Sequence, residues 1–269
     1  VDAVYIATPH TSHAELTTLC LQRGIPVLCE KPLGLSLVEV EDMVATARRT
    51  GTYLMEALWS RFLPALQQAK EQIDAGTIGE VEGLRADFGF RAVEQEDFTR
   101  DRLYNPQLGG GALLDIGIYP IWLAQYIFGA PQRIRATARL TERGADVDTQ
   151  VSLEYAGGKL AHCYCTLLGM TRCDALVLGT KGGLHIHPRF HEARGFSILR
   201  GKDTPPENHY AQFQGNGYGF EAQSVMADVR AGRTESAEWS LSDSLLLHRT
   251  LTEVRTQIGL RYPGETKEY

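Results

Sequence analysis

Two short stretches hold the residues best suited to chemistry: Glu30-Lys31-Pro32, and the run from Gly109 to Tyr119 (GGGALLDIGIY). Together they supply a lysine, a carboxylate and a phenol, a set that can move a proton. A lysine held beside a tyrosine stabilises the phenolate and lowers the phenol pKa from its reference near 10. Asp115 and Tyr119 stand four residues apart. On a helix they share a face and point into one cleft. A cis Lys31-Pro32 bond would fix the direction of the lysine. Plainer roles stay open on these residues alone: Lys31 as a surface lysine before a turn proline, Asp115 as a cap, and Tyr119 as a half-buried core phenol.

Other candidates surround this set. Thr8-Pro9-His10-Thr11-Ser12-His13 is a polar segment after an apolar run, placed where a ribose or phosphate would be met at a strand end. His10, His13, His185, His187 and His191 lack a carboxylate or thiolate set at metal-ligand spacing, so no metal is expected. Trp59, Arg61 and Phe88 can line a pocket with an aromatic wall and one cation. No G-x-G-x-x-G stands ahead of the first apolar run to cradle a pyrophosphate.

The elements that must position these residues are legible from periodicity and breakers. Strands are expected at Val1–Thr8, Pro26–Cys29 and Tyr53–Ala57, with helices at Ala14–Arg23 and at Leu37–Thr50, the latter opened by Ser36 and closed by Gly51. Strands alternating with helices imply a parallel sheet. After Pro64 comes a helix, Ala65–Ala75, then strands at 81–91, 133–140, 149–155, 159–167, 174–179, 182–187 and 195–199, with hairpin signals at Gly157-Gly158 and Lys181-Gly182. A helix over 110–128 interrupts them, 202–217 is a polar loop, and helices at 219–231 and 240–259 close the chain. The expected class is α/β: a parallel-sheet region over 1–64, then an α+β region over 65–269 with a large, mostly antiparallel sheet. The last helices are expected to pack back on the first region.

Composition narrows the partners. The 269 residues are 43% hydrophobic and 22% charged, with a formal net charge of −6. A mild acidic excess argues against a nucleic-acid surface and for a small-molecule partner. Five cysteines with no C-x-x-C pair suggest reduced thiols and a cytoplasmic protein. No apolar run approaches the roughly 20 residues that cross a bilayer, so no membrane partner is expected. Alternation at Leu153, Tyr155, Leu160, His162 and Tyr164 predicts an apolar sheet face that a homodimer would bury.

On ATPHTSH, CEKPLG and GGGALLDIGIY the chain resembles the Gfo/Idh/MocA oxidoreductases. MEALWSRFLPA together with Tyr119 resembles the dimeric dihydrodiol dehydrogenase and NADP-dependent D-xylose dehydrogenase branch. The resemblance implies a partial Rossmann-type domain followed by an open-faced sheet domain for substrate and dimerisation. It implies hydride transfer between NAD or NADP, with NADP favoured by the branch, and a carbinol carbon of a small polyol, aldose or cyclic diol. It casts Lys31 and Tyr119 as the acid/base pair and Asp115 as their orienting group. Thr8, Pro9, His10, His13, Glu30, Lys31 and Pro32 would touch cofactor, and Trp59, Arg61 and Phe88 substrate. Family members open with βαβ units that are not in this sequence, a difference of roughly 60 residues. The expectation is therefore of a truncated chain that holds cofactor weakly. Two rivals follow: a non-catalytic binding protein of the same fold, and an NAD-dependent glycosidase.

Overall fold

The computed structural model describes residues 1–94, 97 and 100–262. Its first layer is a parallel sheet of β1 (Val4–Ile6), β2 (Val27–Glu30) and β3 (Leu54–Ala57), in that order, with Val4 opposite Val27 and Val27 opposite Leu54. The crossovers are α1 (His13–Leu21) and α2 (Leu37–Thr50). The α2 ends are set by local chemistry: Ser36 Oγ accepts from the Glu39 amide, and Gly51 leaves the helix at φ 64°. Val27, Leu54, Val40 and Met43 are fully buried between sheet and helix. β1 is shorter than the expected Val1–Thr8, β3 starts one residue later than expected, and β2 keeps its four residues shifted by one, to Val27–Glu30.

The second layer is an eight-stranded sheet in the order β11-β10-β9-β8-β4-β7-β6-β5. Its strands are β4 (Val81–Gly89), β5 (Arg133–Leu140), β6 (Asp146–Glu154), β7 (Leu160–Thr166), β8 (Ala175–Gly179), β9 (Gly182–Ile186), β10 (Gly195–Leu199) and β11 (Glu207–Tyr210). Every neighbouring pair is antiparallel except β4 with β7. One face is covered by α3 (Pro64–Asp74), α4 (Ile118–Phe128) and α6 (Leu241–Ile258). Leu84, Val151, Leu153, Val177 and Trp122 share one core there. The α6 helix also contacts α2 and β3, which ties the two layers together. The remaining helix, α5 (Tyr218–Arg230), packs on the turn Trp59–Phe62.

Three expectations are corrected. The polar loop over 202–217 contains β11, whose sequence ENHY has no apolar alternation; its pairing with β10 is a main-chain property of an edge strand. The helix over 110–128 begins only at Leu113, as a π-helical turn (Leu113–Gly117) that leads into α4. Gly109 at φ 77° and Gly111 at φ 130° cannot continue a right-handed helix. A side chain at Gly111 would strike Asp146 Oδ1, and Asp146 Oδ2 accepts from the Leu113 amide at 2.8 Å.

The third concerns the sheet face. Leu153 pairs with Ala161, so Leu153 and Tyr155 point into the core, where Tyr155 stacks on Phe128 at 4.7 Å. Leu160, His162 and Tyr164 lie on the opposite face. That face is mixed rather than apolar: Arg133 and Arg135 both pair with Glu154, at 2.7 and 3.4 Å. A groove of about 880 Å³ runs across it, lined by Arg85, Leu160, His162, Tyr164 and Leu178 among others.

Candidate active site

Lys31 follows the carboxyl end of β2, and the Lys31-Pro32 peptide is cis. The backbone after it is held from two sides. The Leu33 amide donates to Glu56 Oε1 at 2.9 Å, and His248 of α6 meets the same oxygen at 3.0 Å. Both side chains are buried. Burial alone would raise the Glu56 pKa, but the His248 charge and hydrogen bond outweigh it and hold the carboxyl below its usual range. On the other side His13 is fully buried, with Nδ1 2.8 Å from the Pro32 carbonyl and Nε2 3.0 Å from the Thr8 carbonyl. Both partners are acceptors, so a neutral ring donates to one at a time. The lysine loop is thus sewn to the loop after β1.

Lys31 Nζ donates to the Asp115 carbonyl at 2.6 Å and to Asp115 Oδ1 at 3.3 Å. The π-helical turn explains the free carbonyl. With i to i+5 pairing its partner would be residue 120, which is Pro120 and has no N–H. Arg102 donates to the same Oδ1 at 3.0 Å. Burial disfavours the carboxylate, yet Lys31 and Arg102 prevail and hold Asp115 down to about 2. Asp115 is therefore an anion that aims the lysine.

Tyr119 is one helical turn on, with its ring centroid 5.2 Å from Lys31 Nζ. Its hydroxyl accepts from Trp59 Nε1 at 2.9 Å. The expected lowering of its pKa is not what the site produces. Burial pushes the phenol well above its ordinary value; the Trp59 hydrogen bond opposes this, while the negative charges of Glu30, Asp115 and Glu221 add to it. Lys31, paired with Asp115, does not offset that burial. Tyr119 is a neutral acid here.

Phe88 lies 5.8 Å from the Tyr119 ring and stacks on His191 at 4.0 Å, while Trp59 stacks on Tyr218 at 4.5 Å. Lys31, Asp115, Tyr119, Trp59 and Phe88 come together. Arg61 does not: its guanidinium sits 4.6 Å over the Tyr126 ring and 3.8 Å from Glu238. Among the cofactor candidates Thr8 and Pro9 are exposed, and His10, Glu30 and Lys31 half-buried, at the carboxyl ends of the parallel strands. His13 and Pro32 are enclosed by the loops they join, so they are framework rather than surface for a ligand. His10 Nδ1 lies 3.0 Å from the Gly109 carbonyl, and burial, reinforced by Lys31, pushes its pKa down to about 4. Glu30 accepts from the Lys31 amide and from the Tyr5 hydroxyl.

This crest fits a nicotinamide nucleotide: exposed backbone and a hydroxyl at Thr8, a carboxylate at Glu30 and a cation at Lys31, all beyond the ends of parallel strands. Among the described residues no group of His, Cys, Asp or Glu could hold a metal ion, and no helix is long and apolar enough to cross a membrane. Arg102, Tyr218 and Glu221 escape sequence reasoning, and His191 enters it only as a discounted metal candidate. Glu221, 1% exposed on α5, is pushed up to about 9 by burial and then by Glu30. A glutamate inside a helical stretch carries no sign that its neighbours will bury it.

Residues 1–58 match an oxidoreductase family with an NAD-binding Rossmann fold, and residues 66–185 match the GFO/IDH/MocA C-terminal domain. Trans-1,2-dihydrobenzene-1,2-diol dehydrogenase of Mus musculus is 38% identical over 272 residues, covering 99% of this chain and 80% of that protein. A 3-ketoreductase from Actinomadura kijaniata, KijD10, solved with NADP and TDP-benzene, superposes with a TM-score of 0.84 at 29% identity, over 96% of this chain and 78% of the other. The aldose-aldose oxidoreductase of Caulobacter crescentus, solved with glycerol, gives a TM-score of 0.84 at 25% identity, over 96% and 77%.

Proposed function

The chain belongs to the GFO/IDH/MocA oxidoreductases, and on that premise we propose that Tyr119 and Lys31 are the proton-handling pair of an NAD(P)-dependent dehydrogenase for small diols, polyols or aldoses. The observation that carries the reading is the convergence of Lys31 Nζ, the Asp115 carboxylate and the Tyr119 phenol. Bound NAD(P) supplies or accepts the hydride. Thr8, Pro9, His10, Glu30 and Lys31 would hold it. In the reducing direction, Tyr119 gives its hydroxyl proton to the carbonyl oxygen as the carbon becomes a carbinol. In the oxidising direction the proton returns. Asp115 fixes Lys31, whose charge stabilises the phenolate left after transfer. Trp59 holds the phenolic oxygen, and with Phe88 it gives the substrate carbon skeleton an aromatic wall.

Residues 1–64 are accordingly assigned to the cofactor and 65–269 to the substrate and to self-association. Turnover is expected with trans-cyclohexane-1,2-diol or with an aldose, in the presence of NADP or NAD, followed by nicotinamide absorbance. A full panel of diols, polyols and aldoses left unreacted with either nucleotide would refute the assignment.

The groove across the outer face of the eight-stranded sheet and its exposed Leu160 and Leu178 favour a homodimer through that face. Sedimentation equilibrium at micromolar concentration should return twice the 29.8 kDa chain mass. A single-chain mass that does not change with concentration would eliminate the dimer.

A further inference from the structure

His191 is built into the pocket with more care than a core residue needs. It follows Arg189, a non-glycine residue at φ 61°, a conformation that persists only where the surroundings enforce it. The enforcement is visible: the Phe190 amide donates to the Cys173 carbonyl at 2.9 Å, the Phe190 ring is fully buried, and Ser60 Oγ donates to the His191 carbonyl. Ser60 is the neighbour of Trp59. The same short turn therefore sets both the indole that holds Tyr119 and the imidazole across from it. The His191 ring lies flat on Phe88 at 4.0 Å, edge-on to Trp59 at 6.3 Å, and 5.4 Å from Tyr119 between ring centroids.

The residue is 5% exposed, and its Nδ1 is enclosed with no hydrogen-bond partner among the described residues. Burial holds the ring neutral, its pKa pushed down to about 4. A neutral imidazole has one N–H and one bare nitrogen. A proton on Nδ1 would enclose an unpaired donor, whereas a proton on Nε2 encloses only an unpaired acceptor. Unpaired buried donors are the rarer and costlier case. The ring thus carries an N–H at Nε2, held against the aromatic wall beside the proton-transferring phenol.

We infer that His191 Nε2 donates a hydrogen bond to a second hydroxyl of the substrate, next to the one that exchanges its proton with Tyr119, and so selects vicinal diols and sugars over simple alcohols. This rests on the dehydrogenase reading above and adds the group that chooses the substrate.

The test compares kcat/KM for trans-cyclohexane-1,2-diol and cyclohexanol on the protein. His191→Phe keeps the stack on Phe88 and removes the donor. It should lower the ratio of kcat/KM for the diol to that for cyclohexanol on the order of 10- to 30-fold, the worth of one hydrogen bond to a buried partner. His191→Gln carries an amide N–H near the Nε2 position and should recover most of the diol rate. His191→Asn, whose amide reaches only the Nδ1 position, should not. The Gln and Asn pair answers the question even where Phe fails to fold. Equal losses on both alcohols, equal recovery by Gln and Asn, or no loss at all would overturn the inference while leaving the dehydrogenase intact. No turnover of any diol, polyol or aldose by the unaltered protein would overturn both.

Discussion

Tyr119→Phe is expected to lower kcat about 1000-fold, within the range for removal of a positioned general acid, while the affinity for NADP or NAD stays within about 3-fold. The ring is 5% exposed and packed against Phe88 and His191, so phenylalanine fills the same space. What goes is the hydroxyl that accepts from Trp59 Nε1 and carries the transferred proton. The indole N–H is then left without its partner, which costs about 1–2 kcal/mol and should show as a small fall in melting temperature. Single-turnover kinetics and a nucleotide titration separate the two effects. Retention of more than a tenth of the wild-type kcat would remove Tyr119 from the proton path.

Lys31→Met is expected to cost about 100-fold in kcat and to change the pH dependence. Burial keeps the phenol protonated through and above neutral pH. Carbonyl reduction should accordingly be flat between about pH 6 and 9, since the acid form is the one populated. Alcohol oxidation needs the base form, so its rate should climb about tenfold per pH unit with no plateau below about pH 10. A cation 5.2 Å from the ring favours the phenolate. Removing it raises the phenol pKa further and moves the alkaline limb to higher pH. The same substitution leaves the Asp115 carboxylate with Arg102 alone. A variant that keeps its kcat within about 3-fold and its oxidation profile unmoved would show that Lys31 takes no part.

Much of the fold was legible because local rules are strong where they apply. Ser36 and Gly51 marked both ends of α2 to the residue, and alternation marked β5 and β10 in full. Strand–helix alternation announced a parallel layer and hairpin signals an antiparallel one. At the site, the lysine after β2 and the Asp–Tyr pair four apart stood out by residue type, and they do meet in space. What was not legible depends on register and enclosure. A one-residue shift of register decides the face of a strand, and only the pairing of Leu153 with Ala161 turned Leu153 and Tyr155 inward. β11 has no apolar alternation, and its place is set by its pairing with β10.

The sequence by itself determined which groups could handle a proton, because side-chain chemistry and i, i+4 spacing travel with the chain. Only the tertiary structure decided their states and their company. It sealed Tyr119 so that desolvation, not the neighbouring lysine, governs its proton. It turned Arg61 away onto Tyr126 and brought His191, which belongs to no periodic pattern, against Phe88. The physical reason is common to all three: spacing along the chain is a local quantity, whereas desolvation and charge–charge coupling are sums over atoms that only folding brings near.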